Sequence, residues 1–200
     1  MSSLVISEAS AAAQAAAVAN VSFLTGDFRS TTLAPASFDV VHAHQVLQHL
    51  RDPVEALVAM RGLARPNGIV VARDSDYSAM TWAPASPSLE RWLDIYLAVT
   101  ARNGADANAG RWLSRWAREA GYDEVVYTTS RWTFAIPSEV SWWAELWAER
   151  TVGSSFATQA VDYGFSTTDE LATVAEGWRT WAEAADAVFV VPHGEVIAQA

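Results

Sequence analysis

The sequence predicts an α/β fold with a mainly parallel sheet and a helical insertion before its last strand. Three observations carry this. Two short apolar runs, Phe38 to Ala43 and Ile69 to Ala72, flank a helix-length segment, the layout of a βαβ unit. A strand-like stretch rich in Val, Tyr, Thr and Trp, Tyr122 to Phe134, precedes a long Trp-rich segment of helical spacing, Ser138 to Glu183. Val188 to Val191 then returns as a final strand before Pro192-His193-Gly194.

Taken in order, Ser7 to Val18 is the first helix, with Ser7 as N-cap and alanine supplying propensity. Val21 to Leu24 is a short strand ending at Thr25-Gly26-Asp27. Phe38 to Ala43 reads as a strand buried on both faces. Pro53 to Leu63 is a helix with proline at a permitted first-turn position and Val54, Leu57, Val58 and Leu63 largely on one side. Pro66-Asn67-Gly68 makes a turn before the strand Ile69 to Ala72. Ser88 to Arg102 and Gly110 to Ala120 are helices, the second capped by Gly121. The Trp-rich segment breaks near Gly153 and Gly164. The chain therefore divides into a core over 1–136, a helical cap over 137–186 and a final strand and tail over 187–200.

Composition narrows the function. The 200 residues suit one domain with a sizeable core, and 51% apolar residues with ten Trp argue for a packed globule. The net charge is −10, and all 13 basic residues are Arg. An acidic chain without a basic run is a poor partner for nucleic acid or anionic lipid, so small molecules are the expected partners. The absence of Cys rules out disulfides and thiolate chemistry. Without a signal-peptide pattern or a bilayer-length apolar run, the expectation is a soluble, cytoplasmic protein.

The segment Ser37 to Asp52, SFDVVHAHQVLQHLRD, holds the densest motif. Phe38-Asp39-Val40-Val41, the Leu47-Gln48-His49-Leu50 turn, Asp52-Pro53 and Arg65-Pro66-Asn67-Gly68 before a second apolar strand resemble the middle of class I S-adenosylmethionine-dependent methyltransferases. Within that class they resemble the small-molecule branch of the ubiquinone/menaquinone-biosynthesis type. The resemblance covers roughly Val21 to Phe134. It implies a Rossmann-like sheet, S-adenosylmethionine as cofactor and a small-molecule methyl acceptor. It fails upstream: Val5 stands where the class carries a ribose-binding acid, and no G-x-G-x-G occurs anywhere. The expectation is thus an N-terminally truncated member lacking the first strand and its glycine-rich loop. Weak cofactor binding and a homodimer or sheet-completing partner go with it.

Ligands in such sheets bind beyond the carboxyl ends of the strands. By resemblance, Gly26 and Asp27 meet the adenine, with Phe28 packing beside it; taken alone, Asp27 is a turn-forming residue. Alternation places His42 and His44 on one strand face, and the resemblance sets His44 and Gln45 beside the transferred methyl. His44 and His49 are the catalytic candidates, although His49 reads first as a structural residue of its turn. The two histidines and His42 lack a carboxylate at a telling spacing, so no metal site is expected. Arg73, Asp74, Asp76 and Tyr77 follow the next strand and are substrate-binding candidates. Trp82 and Trp143 join them, with core packing as the alternative for every Trp at helical spacing. Besides methyl transfer, a non-catalytic remnant serving binding or dimerisation stays open.

Overall fold

The computed structural model describes residues 3–27 and 32–200. Phe28, an expected adenine neighbour, lies outside them. The elements run α1 (Ser3–Ala15), β1 (Phe38–His44), α2 (Pro53–Leu63), β2 (Ala64–Ser75), β3 (Thr81–Ala83), α3 (Pro87–Arg102), α4 (Ala109–Glu119), β4 (Val125–Phe134), α5 (Pro137–Gly153), α6 (Ser155–Asp162), α7 (Thr168–Ala182) and β5 (Val188–Gln199). Short 3-10 turns at Leu47–His49 and Tyr77–Ala79 follow β1 and β2.

β1 and β2 are parallel, with His44 opposite Arg73. β5 pairs antiparallel with β2, β3 and β4, and forms the middle of the sheet. The sheet is therefore not mainly parallel among the described residues. β5 also runs through Pro192-His193-Gly194 instead of ending there. Proline is tolerated because pairing with β3 stops at Val190 and pairing with β2 starts at His193, so Pro192 sits where the neighbour changes.

The predicted strand Val21–Leu24 is not formed; these residues are irregular, and Val21 and Leu24 are exposed. A strand exists through its ladder, and no described strand lies beside them. α1 starts at Ser3, four residues earlier than Ser7, so Ser7 lies inside the helix and is not its cap. It ends at Ala15, and the chain turns away at Ala17 (φ 54°), with the Val18 N–H closing onto Ala13 O at 2.9 Å. The Pro66-Asn67-Gly68 turn appears as a bulge inside β2. Asn67 takes φ 63°, and the register slips between Phe38↔Ala64 and Val40↔Ile69.

One sheet face is covered by α2 and α4. Ala56, Leu57, Met60, Leu113 and Ala117 pack on Ala43, Val70, Ala72, Val196 and Ala198. The other face is open in part among the described residues, with Val40 54%, Val126 60% and Ile197 48% exposed. β1 is thus buried on one face, not two, and Val58 of α2 points to solvent. A second core joins α3, α5 and α7 to β5: Trp92, Trp147, Trp178 and Phe189 meet as tilted and edge-to-face rings. Ion pairs Arg91–Glu170 (2.7 Å) and Arg179–Glu145 (2.9 Å) tie the helices together outside it.

Candidate active site

β1 ends at His44, and Gln45 turns the chain with φ 57°. The turn is held by backbone: Gln45 N–H donates to Arg73 O at 2.8 Å. The next turn is held by Asp74, whose carboxylate oxygens accept from the N–H groups of Leu47 (3.3 Å) and Gln48 (3.1 Å). Asp74 is fully buried, and burial pushes its carboxyl up to about 7 against those two stabilising bonds. One buried side chain therefore fixes the loop that carries Gln48 and His49.

These residues open onto a cavity of about 550 Å³ at the carboxyl ends of β1 and β2. Its floor is a neutral network. Gln45 Nε2 donates to Ser75 Oγ (2.7 Å) and lies 2.8 Å from His193 Nε2, while Gln48 Nε2 donates to Gln45 Oε1 (2.5 Å). Gln48 Oε1 is buried without a hydrogen-bond partner. His193 is buried, and desolvation, reinforced by Arg73, lowers its pKa to about 4, so it stays uncharged. Tyr77, Tyr96, Trp132, Trp142, Trp143 and Trp147 make the walls. Tyr77 stacks on Tyr96 at 4.3 Å, and burial raises both phenols above their ordinary value. His49 lies at the edge of the cavity, and desolvation of its ring lowers its pKa.

The predicted residues separate into two groups. Gln45, His49, Tyr77 and Trp143 come together around this cavity. Gly26 and Asp27 are exposed on the irregular segment before β1 and do not line it. His44 also stays outside. It occupies the open sheet face with His42, and its Nε2 lies 2.8 Å from Arg73 Nη1. Arg73 is paired with Glu195 (2.9 Å) and lies 5.0 Å over the Trp132 ring, so Arg73 and His44 reach the cavity only through Trp132. Asp76 is clamped by Arg111, at 2.7 Å to Nε, and Trp82 stacks on Phe189 at 5.7 Å behind the wall.

Gln48 and Ser75, which stood inside sequence motifs without a role of their own, also line the cavity, as do Tyr96 and Arg150, which the sequence did not single out. Arg150 carried a signal: it stands three residues after Trp147 and seven after Trp143, on the same helical stripe. Tyr96 follows Trp92 by one turn and looks like core, which it partly is.

An open sheet with an antiparallel strand between β2 and β4, and a cavity beyond the parallel strand ends, defines the class I S-adenosylmethionine-dependent methyltransferase fold. Solved structures agree on the fold. A candidate methyltransferase from Bacillus halodurans (TM-score 0.54, 13% identity) is matched over 100% of this chain and 80% of its own. The YcgJ protein of Bacillus subtilis (TM-score 0.54, 15% identity) is matched over 99% and 79%. A family model described as a methyltransferase domain matches residues 1–121, and the chain belongs to that family. An uncharacterized methyltransferase of Schizosaccharomyces pombe is 30% identical over 184 residues, 89% of this chain and 64% of the relative. A ubiquinone biosynthesis O-methyltransferase of Cereibacter sphaeroides is 39% identical over 83 residues, 38% of this chain and 34% of that protein. The chain thus spans less than two thirds of the length of these relatives.

Proposed function

We propose that the protein transfers a methyl group from S-adenosylmethionine to a small-molecule acceptor held in the aromatic cavity. The observation that carries this reading is the cavity itself, with its neutral amide floor and aromatic walls at the ends of the parallel strands. S-adenosylmethionine, when bound, supplies an electrophilic sulfonium methyl, which leaves the protein chiefly with alignment. In this reading Gly26 and Asp27 meet the adenine, with Phe28 beside them, as the resemblance implies. Gln45 and Gln48 face the methionine end. What supports them is the unpaired Gln48 carbonyl oxygen, an acceptor suited to a cationic, donor-bearing group.

His49 serves as the base when the acceptor is a hydroxyl or a protonated amine. Its lowered pKa keeps the imidazole neutral and able to take a proton at neutral pH. Tyr77 and Trp143 hold the acceptor, and residues 137–186 act as the cap. Arg73, Asp74, Asp76 and His44 are positioning residues that hold Trp132 and the loops, and Trp82 backs the wall. The proposal includes a cytoplasmic location, supported by the absence of Cys. Among the described residues, no helix is long and apolar enough to cross a membrane.

The test is transfer of a labelled methyl group from S-adenosylmethionine to a library of small phenols, amines and carboxylic acids. Turnover on at least one acceptor is expected, with His49→Ala lowering kcat about 100-fold on hydroxyl acceptors. No turnover by a folded, cofactor-binding chain contradicts the proposal. A second reading, a non-catalytic module that dimerises, is favoured by the open face at Val40, Val126 and Ile197. A stable dimer without cofactor affinity would support it.

A further inference from the structure

The cavity's polar groups are unevenly distributed. Gln45, Gln48 and Ser75 form a floor without charge. The one permanent charge among the lining residues is Arg150, in the last turn of α5, with its guanidinium 5.4 Å over the Trp147 ring. Arg73, Arg91, Arg111 and Arg179 are each held by a carboxylate. Arg150 has no ion pair or side-chain hydrogen bond among the described residues, only its place on the indole. A guanidinium stacked on an aromatic face keeps its edge N–H groups free for a planar, two-oxygen partner.

The surrounding groups point the same way. Tyr77 and Tyr96 are both close enough to feel the Arg150 charge, and burial keeps both phenols protonated; the Tyr77 hydroxyl is hydrogen-bonded to that of Tyr96, which leaves the pair one free O–H donor. The neighbouring indole N–H groups of Trp143 and Trp147 are buried without acceptors. This wall is thus a cation and a hydroxyl donor set among aromatic rings, and no carboxylate lines the cavity to balance it. Arg150 is exposed at the mouth of the cavity, so the aromatic wall shields one side of an ion pair there and water reaches the other.

We propose that the acceptor is a small aromatic acid whose carboxylate pairs with Arg150, supported by the free hydroxyl of the Tyr77–Tyr96 pair, with its ring against Trp142, Trp143 and Trp147. The proposal rests on the methyl-transfer reading for the word acceptor, but not for the binding itself. The carboxylate is the anchor, and the group that takes the methyl is a second substituent on the same molecule.

Ligand-observed NMR titration of the full chain tests this without any methyl donor. The probes are benzoate, 4-hydroxybenzoate and 2-naphthoate, each against its primary amide. At least one acid is expected to bind about 10-fold or more tightly than its amide, a difference of about 1.4 kcal/mol. Arg150→Gln should erase that preference, and Arg150→Lys should restore part of it. Arg131→Gln, which changes an arginine outside the cavity, should leave it intact. Titration with S-adenosylhomocysteine should give the same affinity in wild type and Arg150→Gln. Equal binding of acids and amides, absence of acid binding, or a preference that survives Arg150→Gln would overturn the inference. A preference for acids in a chain that binds no S-adenosylhomocysteine would uphold the anion site while sinking the methyl-transfer reading.

Discussion

Asp74 organises the site without lining the cavity. It is fully buried, and its carboxyl is pushed up to about 7, so the folded chain keeps a proton that the unfolded chain loses near the ordinary value of 3.8. Stability should therefore fall as pH rises between those two values, by up to about 4 kcal/mol from this group. Asp74→Asn keeps an acceptor for one of the Leu47 and Gln48 N–H groups and removes the ionisation. Denaturant unfolding at several pH values should show the wild-type decline flattened in this variant. Asp74→Ala leaves both N–H groups unpaired and should cost about 2 kcal/mol at pH 5. His49 gives the second residue-scale prediction. Its lowered pKa places the acid limb of the rate profile below the unperturbed histidine value of 6.5, and activity should hold on the alkaline side of that limb. An acid limb above that value would contradict its role as base. Gln45 and His49 were legible as site residues because they follow an apolar strand directly. Gln48 was not, since its burial depends on Asp74, a residue distant in sequence.

At the scale of elements, α4 meets the sheet through two glycines. A Cβ on Gly110 would stand 2.5 Å from Asp74 O and 2.7 Å from Gly194 N, and one on Gly194 would overlap Gly110 O. All of these are backbone atoms, which cannot turn aside. Gly110→Ala and Gly194→Ala should each destabilise the chain by about 3 kcal/mol or more, read as a fall in thermal midpoint, because α4 must lift from the sheet. A loss within about 0.5 kcal/mol would show that the helix is free to shift. Periodicity alone revealed α2, α3, α4 and the helices broken at Gly153 and Gly164, because each break carries its own turn residue. The strand Val21–Leu24 failed for the opposite reason: an apolar run becomes a strand only through a partner. Likewise, the antiparallel course of β5 through Pro192 depends on which strand lies beside each residue, and local composition does not encode that.

For the whole molecule, two cores divide the labour. The α2–α4 side holds the strands in register, and the Trp-rich α3–α5–α7 side builds the cavity wall. The spacing of Trp143 and Trp147 announced a packed helix face, and both are indeed buried. That the same two rings also wall a cavity with Arg150 emerged only when α5 was placed over the strand ends. The central claim is that this cavity belongs to a methyl-transfer site. Calorimetric titration with S-adenosylhomocysteine tests it most directly, using the wild-type chain with Asp27→Ala and Gln45→Ala. The account predicts saturable binding that both substitutions weaken, Gln45→Ala without loss of fold. A folded wild-type chain that binds no S-adenosylhomocysteine, or binds it equally well with both residues replaced, would contradict it.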